Sequence, residues 1–212
     1  MNNSFGNTTR LLGAGLRALL VLTVLCGVLY PLAVTGIAQA AFSQQANGSE
    51  ITDKSGRVVG SALIGQTYGD DPRFFQPRPS AGLGENTNNT QYELLVSGAS
   101  NKAADNPDLV KAVNEAKAKV LADNTVPGYT PEAAQVPADA VTSSGSGLDP
   151  HISPAYAELQ AHRVAVRNDL PPARVEKLVA EHTEGRTLGF MGEPRVNVLE
   201  LNTALKDLAG QR

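Results

Sequence analysis

The stretch ALLVLTVLCGVLYPLAVTGIA, residues 18–38, decides the architecture. It carries no charged side chain, and as an α-helix rising about 1.5 Å per residue it reaches roughly 30 Å, the hydrocarbon thickness of a bilayer. Arg10 and Arg17 precede it, and the first acidic residue of the chain is Glu50. The positive-inside bias then assigns residues 1–17 to the cytoplasm and residues 18–38 to one transmembrane helix. Residues 43–212 become an exported globular domain, on the periplasmic or extracellular side of the plasma (inner) membrane. A cleaved signal peptide is the competing reading, because Ala38-Gln39-Ala40 resembles a processing site. Against it, the apolar run is longer than the roughly 7–15 residues of a signal-peptide core.

The span also has internal pattern. Thr23, Gly27, Pro31, Thr35 and Gln39 recur every fourth residue, a slowly drifting stripe of small and polar side chains among Leu and Val. Such a stripe lets a second membrane helix approach closely. The plainer reading is that Gly and Thr are common in membrane helices and that Pro31 introduces a kink whose lost hydrogen bond is made good locally.

Outward from the span, 212 residues leave one domain of ordinary size. With Arg10 and Arg17 set aside, 16 basic residues remain against 21 acidic ones, a formal charge of about −5 that gives no sign of nucleic-acid binding. The sole cysteine, Cys26, lies in the span, so the domain has no disulfide of its own.

ITDKSGRVVGSALIGQTY (51–68) reads as two short strands around the turn DKSG, after a polar exit loop QQANGS. DDPRFFQPRPSAGLGENTNNT (70–90) is dense in Pro, Gly and Asn and reads as an ordered surface loop. Asn106-Pro107 opens a helix in which Leu109, Val113, Ala116 and Val120 share a face, ending near Asn124. ADAVTSS (138–144) suggests a short strand. Ser153 caps a helix with Pro154 at its first position and Tyr156, Leu159, Arg163 and Val164 along it. A further helix from Pro172 presents Val175, Leu178, Val179 and His182 and stops at Gly185, and a strand RVNVL (195–199) precedes a C-terminal helix. The irregular order of elements predicts an α+β fold with a small sheet rather than a doubly wound parallel one.

No constellation carries chemistry cleanly. Ser144, Ser146, Asp149 and His151 offer the types for nucleophile, base and orienting acid. The glycine spacing of a nucleophile elbow fails at Ser146, however, and triad members are rarely sequence neighbours. The alternative is a glycine turn leading into the Ser153 cap, with Asp149 holding backbone amides and His151 packed nearby. A membrane-tethered hydrolase using His151 therefore stands as a rival, as does an exported binding module using FFQPRPS and GENTNNT. His151, His162 and His182 lack paired metal-ligand spacing, so no metal is expected. GRTLGFMGEP lacks the lysine of a phosphate-binding loop. Arg73, Arg78, Arg163, Arg167, Arg186 and Arg195 read as structural ion-pair residues ahead of a ligand site.

Tyr30-Pro31, QANGS (45–49), GSALIGQ (60–66), FFQPRPS (74–80), SGSGLDPHISP (144–154), Gln160 with RVA (163–165) and HTEGRTLGFMGEPRVNVLELN (182–202) together resemble the C subunit of the prokaryotic potassium-importing P-type ATPase complex, the Kdp system. The sequence departs from that pattern at Pro171-Pro172, where a small capping residue is usual. The resemblance implies a non-catalytic accessory subunit of ATP-driven, high-affinity potassium import. Its implied partners are a channel-like potassium-translocating subunit, a P-type ATP-hydrolysing subunit and a small single-span subunit. It also implies a catalytic chaperone that raises the ATP affinity of the hydrolysing subunit, with no intrinsic cofactor and with ATP and potassium handled through the complex. An exported domain cannot itself touch cytoplasmic ATP. The topology suggests instead that the domain caps the outer ion entrance, where its acidic charge would enrich K⁺ modestly within a screening length of about 8 Å. Arg78, Ser80, Ser146, Asp149, His151, Gln160, Arg163, Arg186, Glu193 and Arg195 are the expected subunit-interface or structural-turn residues.

Overall fold

The computed structural model describes residues 3–80 and 97–210 and divides into two compact units, Met1–Glu50 and Ile51–Arg212. In the first, α1 (Asn3–Val24), a π-helical turn (Leu25–Leu29) and α2 (Tyr30–Ala41) run on continuously. One apolar helix, Gly6–Ala41, is long enough to cross a membrane and extends beyond both ends of residues 18–38.

The π turn sits directly before Pro31. Proline has no N–H to give the Gly27 carbonyl, and its ring crowds that carbonyl. Widening the preceding turn lets the Tyr30 N–H bond to the Leu25 carbonyl, five residues back, so the fault becomes a π-bulge. A short helix α3 (Ser43–Ala46) occupies part of the expected exit loop, and Gln39 Nε2 donates to Asn47 Oδ1 at 3.1 Å across it.

In the second unit, β1 (Glu50–Thr52) and β2 (Val58–Ser61) form the expected two-stranded sheet. Asp53 shapes the turn by accepting from the backbone N–H of Ser55 and Arg57, and Gly56 supplies the left-handed φ of +77°. α4 (Pro107–Asn124) is capped by Asn106, which accepts from the Asp108 N–H. Its predicted face holds, with Val120 buried and Leu109, Val113 and Ala116 half-buried.

ADAVTSS is not a strand. Ala138–Ala140 form a 3₁₀ turn, because Thr142 returns both its N–H and its hydroxyl to the Ala138 carbonyl. The turn aims Asp139 at Ser153, whose N–H and Oγ donate to its two carboxylate oxygens at 2.7 and 2.8 Å. Ser153 in turn accepts from the Tyr156 N–H, fixing the start of α5 (Pro154–Arg167).

α5 is the centre of the domain. Tyr156, Ala157, Leu159, Ala161, Val164 and Ala165 are buried, and Val175, Leu178 and Val179 of α6 (Pro172–Glu181) join the same core. α6 ends at Glu181, short of Gly185, because Thr183–Glu184 leave as β4. A three-stranded antiparallel sheet orders β3 (His151–Ile152), β5 (Arg195–Asn197) and β4, with Ile152 opposite Val196 and Glu184 opposite Arg195. The final strand is shorter than RVNVL. Asn197 accepts from the N–H groups of Leu199 and Glu200, starting α7 (Val198–Ala209) two residues early. Leu201 and Leu205 of α7 complete the core. Helices and small antiparallel sheets make the fold α+β.

Candidate functional site

DDPRFFQPRP is not simply a surface loop, since Phe75 is fully buried. A proline-rich segment inside a protein has no ladder partner for its peptide groups, and each stranded group is costly. Three side chains from α5 and α7 supply the partners. Asn202 accepts from the Phe75 N–H and donates to the Phe75 carbonyl, both at 2.9 Å. Gln160 does the same for Gln76, accepting at 2.7 Å and donating at 3.1 Å. Arg163 donates Nη1 to the carbonyls of Pro72 and Phe74.

Arg163 is 1 % exposed and has no carboxylate within ion-pair distance among the described residues. Its remaining donors go to Asn124 Oδ1 at 2.9 Å and Gln160 Oε1 at 2.7 Å. Burial lowers its affinity for the proton from the usual arginine value, while carbonyl dipoles take the place of a counter-ion. The guanidinium thus joins α4, α5 and the loop. Sequence reasoning named Gln160 and Arg163 but missed Asn124 and Asn202. Each is a lone amide on an otherwise apolar helical face, and that signal could have found them.

The second arm of the loop meets SGSGLDPHISP. Arg78 Nη1 donates to Asp149 Oδ2 at 3.1 Å and Nη2 to the Thr142 carbonyl at 3.3 Å. The Ser144 N–H donates to the Pro79 carbonyl at 2.9 Å, and Ser80 Oγ donates to the Arg78 carbonyl at 3.2 Å. The Asp149 carboxyl is held down to about 2 by the His151 imidazole, the His151 N–H and Arg78. Nδ1 of that imidazole is 3.5 Å from Oδ1, a long contact, whereas the backbone N–H is at 2.9 Å. Gly65 completes the packing, since a Cβ there would lie 2.7 Å from the Asp149 carbonyl oxygen.

The serines face each other and the turn. Ser144 Oγ and Ser146 Oγ are 3.1 Å apart, Ser144 accepts from the Gly147 N–H and Ser146 from the Leu148 N–H. Among the described residues the side-chain partner of His151 is Asp149, so no nucleophile and base are joined here. His162 lies 3.7 Å from Glu176 and stacks on Tyr129, and His182 Nδ1 meets the Leu178 carbonyl; no group of metal-ligating side chains forms among the described residues. Between the loop, α4 and α5 a cavity of about 330 Å³ is lined by Gln76, Arg78, Ser80, Lys119, Tyr156 and Arg163 among others. GENTNNT lies outside the described residues.

Arg186 and Arg195 are placed elsewhere, on the β4–β5 hairpin. Arg186 pairs with Glu193 and Arg195 with Glu184, each at 2.8 Å, so these are ion pairs across one hairpin. Arg73 likewise pairs with Asp71. Thr23, Gly27, Pro31, Thr35 and Gln39 all lie on the apolar helix and are exposed; a Cβ on Gly27 would meet nothing nearer than Thr23 Cγ2 at 4.0 Å.

One long apolar N-terminal helix followed by an α+β domain defines the class: a membrane-associated protein with one helix apolar enough to span a bilayer and, among the described residues, no nucleophile joined to a base. Comparison with known families narrows this. The family described as "K+-transporting ATPase, c chain" (KdpC) matches residues 12–207, and the chain belongs to it. It is 62 % identical over 219 residues to the "Potassium-transporting ATPase KdpC subunit" of Streptomyces avermitilis, covering 98 % of each chain. Against the subunit of the same name from Streptomyces coelicolor it is 60 % identical, covering 98 % of this chain and 97 % of that one. The Geotalea uraniireducens subunit is 49 % identical over 190 residues, 90 % and 94 % of the two chains.

Proposed function

We propose that this chain is a non-catalytic accessory subunit of an ATP-driven potassium import complex. It sits in the plasma membrane by its apolar helix, with the N-terminus cytoplasmic and the domain exported. Its partners are a channel-like potassium-translocating subunit, a P-type ATP-hydrolysing subunit and a small single-span subunit. The observation that carries the reading is the family match over residues 12–207, which runs from inside the apolar helix to the last helix.

The chain acts on the ATP-hydrolysing partner as a catalytic chaperone, raising its affinity for ATP. With the domain exported, that influence passes through the membrane helix, where Thr23, Gly27 and Thr35 allow close helix packing. The domain caps the outer ion entrance, its acidic charge favouring K⁺ over anions there. Purification of the tagged chain from its native membrane in mild detergent, followed by mass spectrometry, tests the assembly. Recovery of a P-type ATPase and a channel-like subunit in equal amounts is expected. A chain that emerges alone, beginning at Ala41, would contradict it.

A further inference from the structure

The cavity of about 330 Å³ between the proline-rich loop, α4 and α5 holds hydrogen-bond donors that the fold leaves unused, and its size is at the lower end of the range for small-molecule sites. Tyr156 lines it and is 4 % exposed, yet its hydroxyl has no hydrogen-bond partner among the described residues, and burial pushes that phenol up to about 12. Arg78 turns Nη1 to Asp149 and Nη2 to Thr142 but leaves Nε buried without an acceptor among the described residues. Two donors without partners therefore line one space, where an unmade bond to a buried group is costly.

Charge varies across the same lining. Toward solvent, Lys119 stands 3.4 Å from Asp70 and 2.9 Å from Asp123, so its charge is met. Arg78 is met by Asp149 at 3.1 Å. Arg163 is the inner cation, 1 % exposed, and among the described residues only amide and carbonyl oxygens answer it. Val120 and Ala140, both buried, give the cavity an apolar wall.

We propose that this cavity binds a short-chain monocarboxylate, whose two oxygens accept from Arg78 Nε–H and the Tyr156 hydroxyl beside the Arg163 guanidinium. A carboxylate has the acceptor sites for both donors and one charge for the one cation that lacks a carboxylate. A short hydrocarbon body suits the wall of Val120 and Ala140. Phosphate, at about −1.5 to −2 near neutral pH, brings more charge than one arginine answers and has no apolar part. Water accepts from the same donors but leaves Arg163 without a counter-ion.

The probe is potassium propionate, titrated at neutral pH into the purified full chain in detergent, with potassium chloride holding the ionic strength constant. Ligand-observed NMR reads binding and a thermal melt reads the fold. One saturable site with millimolar affinity is expected, as suits a ligand of so few non-hydrogen atoms. Tyr156→Phe keeps the ring and removes the hydroxyl. It should weaken propionate roughly tenfold or more, while the ligand-free variant melts no lower than the parent, because the hydroxyl it lost had no partner. Arg78→Lys keeps a cation for Asp149 but has no Nε–H, and should weaken propionate in the same way. Absence of a saturable propionate signal overturns the site. So does equal affinity in the parent and in Tyr156→Phe, which places the propionate elsewhere. Tighter binding of potassium phosphate than of propionate refutes the charge match and the carboxylate with it. A clearly lower Tm for ligand-free Tyr156→Phe means that the hydroxyl is already bonded within the protein, and removes the ground for the proposal.

Discussion

Replacing Asn202 with alanine probes the loop clamp where its energetics are simplest. The Asn202 amide is 1 % exposed and meets the N–H and carbonyl of Phe75 at 2.9 Å each, and Phe75 is itself fully buried. Truncation strands both peptide groups away from water. At about 1–3 kcal/mol for each buried group left unpaired, the loss for the two is roughly 2–6 kcal/mol. That is a large share of the about 5–15 kcal/mol that holds a typical domain together. For a chain of this size, at about 2–4 °C per kcal/mol, it corresponds to a Tm drop of roughly 4–24 °C. Scanning calorimetry of the full chain in detergent measures it, with Asn114→Ala on the exposed face of α4 as control. Asn202→Asp separates the two bonds: it keeps an acceptor for the Phe75 N–H but turns a second anionic oxygen toward the Phe75 carbonyl. It should be no better than alanine. A loss for Asn202→Ala within about 0.5 kcal/mol of the Asn114→Ala control would refute the clamp.

Gly65→Ala should cost about 1–3 kcal/mol in urea titrations, because its Cβ would strike the Asp149 backbone; Gly60→Ala should cost less, its obstacles being the side-chain ends of Gln66 and Leu199. The Asp149 carboxyl titrates near 2 when folded and at an ordinary 3.8 when unfolded, so its contribution, about 2 kcal/mol, is present above the unfolded value and lost as pH falls toward 2. Asp149→Asn should flatten the fall in the urea midpoint between about pH 5 and pH 2, leaving the part due to Asp53 and Asp71, which are also held near 2. Gly27→Leu has open space around it in the single chain and should fold, yet it should lower recovery of the membrane partners; undiminished recovery would count against the packing stripe. Neutralising acidic residues on the partner-facing surface should weaken apparent K⁺ affinity at low ionic strength, and an unchanged K⁺ dependence would exclude the electrostatic cap.

What could be read from sequence was local. Asn106-Pro107 and Ser153-Pro154 declare helix starts because capping chemistry is confined to a few neighbouring residues, and both starts stand where predicted. The long apolar helix is legible for the same reason, being a matter of composition over one segment. Misreadings arose where partners are distant in the chain. The loop around Phe75 looks like surface because proline and arginine dominate it. Its backbone is satisfied by Asn202, 127 residues away, and by Gln160, 84 residues from Gln76. ADAVTSS has the alternation of a strand, but Asp139 is drawn to the Ser153 cap and Thr142 back to Ala138. The Ser144–His151 cluster fared better: the glycine-turn reading, with Asp149 holding the His151 amide, is what the structure contains. Gln160 was marked by resemblance and Arg163 was also read as an ion-pair residue, yet Arg163 meets amide and carbonyl oxygens instead of a carboxylate, and the clamp appears only once α5 is seen packed on the loop.

The most direct measurement is ATP hydrolysis by the purified complex against ATP concentration at saturating K⁺, with this chain present and with it omitted. An accessory subunit that raises its partner's ATP affinity predicts no hydrolysis by this chain alone and a higher apparent KM for ATP, or lost K⁺-stimulated activity, when it is left out. ATP hydrolysis by the isolated chain, or an unchanged ATP and K⁺ dependence in its absence, would contradict the account.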